Sequence, residues 1–202
     1  MFSLEDLLGQ QQGNQAVEQI SQMLGTNQNM TNTAIQMALP MILSGLANNA
    51  STPQGAENLN NALEQDHNGG LLENLAGYLG GGLSQPQDTN RQTDGLGILG
   101  HIFGQKQGAV AQQVSQNTGL DVGQVAQLLI TLAPIVMSYL GKQKQQENLG
   151  ADGLSNLLQQ KQQQLQSSGN PTMDMVTNFL DKDHDGSAMD DLASMAANYF
   201  RK

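Results

Sequence analysis

The residues best spaced for chemistry lie near the C-terminus, in Asp181-Lys182-Asp183-His184-Asp185-Gly186-Ser187. Carboxylates at alternate positions followed by a glycine are how a chain wraps a hard divalent cation. Positions 1, 3 and 5 supply side-chain oxygens, the glycine at 6 permits the sharp turn, and position 7 offers its backbone carbonyl. Counted from Asp181, Ser187 is that seventh residue. The bidentate Glu of the full pattern belongs at position 12, which here is Leu192, so closure of the coordination sphere falls to Asp190 or Asp191. The expected metal ligands are therefore Asp181, Asp183, Asp185, Ser187, Asp190 and Asp191, and the expected ion is Ca2+. Without the closing Glu the affinity is expected to be weak, on the order of 10⁻⁴ to 10⁻³ M. The competing reading is a solvated acidic turn in which Asp190 and Asp191 merely favour a helix N-terminus. His184, at position 4, points outward in such loops and is read as a spectator.

Apart from this loop, reactive residues are few. There are no cysteines, which excludes disulfides, zinc thiolates and a thiol nucleophile. Nucleophile elbows, paired-histidine zinc motifs and phosphate loops are absent. His67 follows Asp66 and precedes Asn68-Gly69-Gly70, which reads as a turn. His101, in GHIFG, has no carboxylate beside it in sequence. An enzyme would have to assemble its site from distant residues such as His67, His101 and scattered aspartates. The expectation is that the chain is not an enzyme.

The 202 residues carry a net charge of -10, with only 8 Lys and Arg. That balance leaves no electrostatic footprint for nucleic acid and no polybasic segment for anionic lipid. Charged residues are 13% and aromatic residues 3%; Gln and Asn occupy many of the remaining polar positions. A weakly charged, amide-rich surface repels copies of itself poorly, so a protein partner or self-association is expected. Met1-Phe2-Ser3-Leu4-Glu5-Asp6 has neither a basic segment nor a long apolar run. A cytoplasmic protein is expected by default, with export by another route left open. The weak calcium affinity suits an ion held outside the cytosol, and the two expectations conflict.

The elements that must position these residues read as a duplication. LEDLLGQQQG (4–13) meets LGHIFGQKQG (99–108), and GAENLNNALEQ (55–65) meets GADGLSNLLQQ (150–160), both 95 residues apart. Between them Gly25, Pro40, Ser44 and Leu46 meet Gly119, Pro134, Ser138 and Leu140 at a spacing of 94. Apolar residues at three- and four-residue spacing, such as Val125, Leu128, Leu129, Leu132, Val136, Tyr139 and Leu140, predict helices. Asp121 three residues before Gln124 predicts a capping box. No long Val, Ile or Thr alternation predicts a strand. The expected architecture is all-α and multihelical, with two tandem similar repeats and a C-terminal EF-hand-like helix-loop-helix. The first repeat covers residues 1–80, a Gly-rich polar linker 81–98, and the second repeat 99–170. The calcium-loop segment 171–202 completes the second repeat.

AIQMALPMILSGLA (34–47) and VAQLLITLAPIVMSYL (125–140) are apolar on nearly all sides. Such helices are buried in a core or in a bilayer. The runs are shorter than the roughly 20 residues needed to span, which favours a core and leaves a membrane-active protein as the alternative. Pro40 and Pro134 sit inside these runs at matched positions and predict a kink in each helix.

These pieces resemble the bacterial domain of unknown function 937 family (YidB-like). The resemblance is carried by Leu4-Glu5-Asp6-Leu7-Leu8-Gly9, Ala38-Leu39-Pro40-Met41-Ile42-Leu43 and Asn48-Asn49-Ala50-Ser51-Thr52-Pro53. Ile98-Leu99-Gly100-His101-Ile102-Phe103-Gly104, Leu132-Ala133-Pro134-Ile135-Val136-Met137 and the loop Asp181 to Leu192 add to it. It implies an all-helical fold and no assigned activity. Asp181, Asp183, Asp185, Asp190 and Asp191 match its terminal loop, and His101 fits its pattern with no role attached.

Overall fold

The computed structural model describes residues 3–80 and 93–167. The described residues are helical, with no strand among them. The first stretch runs α1 (Leu4–Leu8), α2 (Gln10–Leu24), α3 (Gln28–Asn49), α4 (Pro53–Gln65), α5 (Gly70–Glu73) and α6 (Leu75–Gly80). The second runs α7 (Gly95–Phe103), a 3-10 turn (Gly104–Lys106), α8 (Gln107–Thr118), α9 (Val122–Glu147) and α10 (Ala151–Ser167).

Local chemistry sets the boundaries. Short polar side chains at the N-caps accept orphan backbone N–H groups. Asn27 accepts from Met30 N at 2.9 Å, and Thr52 from Gly55 N at 3.1 Å with Pro53 opening α4. The expected box at Asp121 is formed: Asp121 Oδ1 accepts from Gln124 N at 2.9 Å, and Asp121 N donates to Gln124 Oε1 at 3.1 Å. Ser3 and Asp6 form a second box at α1. Gly25 and Gly119 end α2 and α8 in the left-handed conformation that a side chain disfavours.

The two apolar runs are the centres of longer helices. α3 has 22 residues and α9 has 26, because each is extended by amide-rich turns at its ends. The sequence-based length argument against spanning therefore fails for α9, which is long and apolar enough to cross a membrane by length and composition. Most of its apolar window is nevertheless buried inside the protein, and residues 131–138 are buried without interruption. Residues 37–47 of α3 are buried in the same way. Both helices continue through their prolines, each of which lies twelve residues after the first residue of its helix.

α3 and α9 pack on each other at the centre. α2, α7 and α8 each touch both; α10 lies on α3 and α4, and α4 lies on α9. Side chains tie the two stretches together at several corners. Gln124 Nε2 donates to the last carbonyl of α2, Leu24 O, at 3.0 Å. Ser155 Oγ donates to Ala50 O at 2.9 Å. Lys144 Nζ pairs with Glu64 Oε1 at 2.6 Å, with only 11% of the lysine side chain exposed.

The linker expected over 81–98 ends sooner than its composition suggested. Gly95–Phe103 is a helix capped by Asp94, and Ile98, Leu99 and Ile102 bury its apolar side. Residues 171–202, including the expected helix-loop-helix, lie outside the described residues.

Candidate functional site

Among the described residues a cleft of about 730 Å³ lies between α4 and α7. The end of α3 and Met137 of α9 close its back. Its position follows from two tight corners. At the α3–α4 corner, Gly55 lies directly against Asn49 O, where a side chain would collide with the carbonyl. This lets α4 fold back beside α3 within a three-residue connection.

The other wall is α7, fixed at both ends. At its start Gly95 abuts Ile130 O of α9. Ile130 is four residues before Pro134, so its carbonyl is the one that proline deprives of a helical N–H partner. A glycine Cα–H can approach such an oxygen where a Cβ cannot. At the other end Asn49 Nδ2 donates to His101 O at 2.8 Å and Ile102 O at 3.2 Å, satisfying carbonyls that end the helix. Asp94 caps the first turn, its Oδ1 accepting from Gly97 N at 2.9 Å.

Leu46, Leu59, Ile98, Ile102 and Met137 form the apolar lining. The polar lining comprises the carboxylates Asp66 and Asp94, the imidazoles His67 and His101, and side-chain amides from Asn49, Gln54 and Asn58. Among the described residues no lysine or arginine lines the cleft. His67, just beyond the α4 C-cap residue Asp66, is 4% exposed. Its carbonyl presses on Gly141 of α9, where a Cβ has no room. Its Nδ1 is buried and has no hydrogen-bond partner among the described residues. Burial holds the His67 pKa below its ordinary 6.5, and the Asp66 charge opposes that shift only in part. The ring is thus neutral at pH 7.

His67 Nδ1 is not held by a carboxylate, and the Thr52 hydroxyl is engaged in capping α4. No group of three His, Asp or Glu side chains among the described residues could hold a metal ion. The expected calcium ligands Asp181, Asp183, Asp185, Ser187, Asp190 and Asp191 lie outside the described residues, as does His184. His67 and His101, singled out from the sequence, do converge on one cleft with two aspartates. Asp94 carried a signal that composition obscured: it precedes His101 by seven residues, two helical turns on one face. The burial of His67 had no local signal, since it depends on α9 crossing beneath the turn.

The chain matches the bacterial protein family of unknown function DUF937 over residues 6–143. No curated protein and no solved structure matches it. With two thirds of its length covered, the chain belongs to the DUF937 family.

Proposed function

We propose that this DUF937 member is a non-enzymatic interaction protein, built from two tandem copies of one helical unit and carrying a calcium-binding loop at its C-terminal end. The observation that carries the calcium reading is the alternation Asp181, Asp183, Asp185 before Gly186, followed in sequence by Asp190 and Asp191 at positions 10 and 11. Five carboxylates within eleven residues repel one another unless a cation sits among them. Ser187 contributes its backbone oxygen.

Helix order supports two copies. A short helix, one of 15 or 12 residues, a long proline-containing helix and one of 13 or 17 residues follow in that order, α1–α4 and then α7–α10. The units are residues 1–80 and 99–170, the second extended back to Gly95, with 171–202 completing it. The exterior supports a polar interface with a protein partner or a second copy. Among the described residues Leu96 and Val122 are the exposed large hydrophobics, and Gln and Asn dominate elsewhere. Nucleic acid is disfavoured by the charge of -10.

Calcium titration of the full chain tests the loop. Binding to the folded form alone stabilises it by mass action. Helicity and resistance of the 168–202 segment to protease are expected to rise with calcium, half-saturating on the order of 10⁻⁴ to 10⁻³ M. Asp183→Asn together with Asp185→Asn should remove the response. Unchanged proteolysis and helicity at saturating calcium would sink the reading. A second reading, a membrane-active helical protein, draws on the length of α9. Flotation of the full chain with liposomes, at low and high calcium, separates the two.

A further inference from the structure

We propose that the cleft between α4 and α7 is a binding site for a small uncharged molecule, a hydroxyl group carried on an apolar body. The site is independent of the aspartate loop, and either can fail without the other.

The His67 ring points to an occupant. It lines the cleft, is 4% exposed, and its buried Nδ1 has no partner among the described residues. Buried polar atoms in folded proteins are almost always paired, so a lone one at a cavity wall marks a place for a partner from outside. Nδ1 of a neutral imidazole is a donor in one tautomer and an acceptor in the other. A hydroxyl both donates and accepts, so it pairs with Nδ1 in either tautomer, whereas an ammonium group only donates and a carboxylate only accepts.

The remaining lining also suits an uncharged guest. Leu46, Leu59, Ile98, Ile102 and Met137 supply apolar surface for a hydrocarbon body. The polar wall of Thr52 and Asn58 is neutral: Thr52 Oγ1 accepts from Gly55 N at 3.1 Å, and Asn58 Oδ1 accepts from Gln54 Nε2 at 3.1 Å. Among the described residues no lysine or arginine lines the cleft to receive an anion. Asp66 already has an interaction of its own. Asp94 is an exposed cap that accepts from Gly97 N, and solvent screens its charge. An ion entering the cleft would give up hydration with no buried charge committed to it, a cost that an uncharged hydroxyl does not carry. The volume, about 730 Å³, falls within the range of small-molecule sites, roughly 300–1,000 Å³.

Nitrogen-resolved imidazole NMR of the full chain at pH 7.5 tests this with benzyl alcohol, toluene, benzylamine and benzoate. Benzyl alcohol should move the His67 Nδ1 signal saturably, with Kd on the order of 1 mM for so small a probe. Benzylamine, a cation at this pH, and benzoate should each bind at least about fivefold more weakly. His67→Phe keeps a ring of similar volume and removes the nitrogen. Followed through the His101 ring, that variant should bind benzyl alcohol at least about threefold more weakly and toluene no more weakly than the wild type does. Ala62→Phe, which fills the cleft, should abolish binding of both. The comparison of the alcohol with the two ions needs no variant, so it decides even where a substitution prevents folding. Absence of a saturable His67 shift, either ion binding as tightly as the alcohol, or a folded His67→Phe protein that holds the alcohol as tightly as the wild type would each overturn the proposal.

Discussion

His67 couples the cleft to the stability of the protein. Its native pKa lies below the 6.5 of an unfolded chain because burial penalises the imidazolium. Above pH 6.5 both states hold a neutral ring and the group contributes nothing to pH dependence. As pH falls through 6.5 the unfolded chain takes up a proton that the native protein refuses, so stability is lost until the native pKa is reached. His67→Phe keeps a ring of similar volume and removes the titration and the unpartnered nitrogen. The wild-type melting temperature should therefore fall between pH 7.5 and 5.5 more steeply than that of the variant; parallel curves would refute this. Glu64 acts lower on the scale. The hydrogen bond from Lys144, and then its charge, hold the Glu64 carboxyl below 4.5, so that contribution is present above 4.5 and is lost as pH falls through the native value. Glu64→Gln separates the two limbs, because it leaves the loss around pH 6 intact.

At the scale of elements, glycine placement decides how α7 meets α9. Gly95 and Gly100 lie in the same helix and face opposite surroundings. A Cβ at Gly95 would strike Ile130 O, whereas one at Gly100 meets only the end of the Gln107 side chain at 3.4 Å. Helix propensity favours alanine over glycine by about 0.8–1 kcal/mol. Gly100→Ala should accordingly stabilise by about 0.5–1 kcal/mol, and Gly95→Ala should destabilise by about 1–3 kcal/mol through overpacking. Chemical denaturation of the two variants gives both values, and a shared sign would show that propensity alone governs the helix. This helix also shows what the sequence makes legible. The Asp121–Gln124 box, the long apolar runs and the all-helical fold follow from local spacing, and the structure forms them. The start of α7 was hidden because Gly95, Gly97 and Gly100 look like linker by composition, although Asp94 stands three residues before Gly97 as a cap. The cleft was hidden more deeply. His67 and His101 are turned to one space by Gly55, Gly95 and Gly141, each a close approach to a carbonyl that only the packed helices reveal.

For the whole molecule, the question is whether the two halves are separable. α3 is covered by α8 and α10 from the other stretch, and α9 by α4 and α2. Gln124 seals the end of α2, and Ser155 bonds Ala50 O just beyond α3. A helix apolar on all sides, as both central helices are, cannot be shielded from water by the helices it packs against in its own half. Residues 1–80 alone would expose the face of α3 that α9, α8 and α10 cover, and 93–167 alone would expose the matching face of α9. Neither fragment is expected to unfold cooperatively, while the full chain should show one transition. Leu39 in α3 and Leu132 in α9 are fully buried. Leu39→Ala and Leu132→Ala should each cost about 2–5 kcal/mol, and each should lower that single transition as a whole. If the halves were autonomous, calorimetry of Leu39→Ala would split the transition, with the 93–167 component left at the wild-type temperature. Mutual burial across the pair α3–α9 predicts that no such component remains.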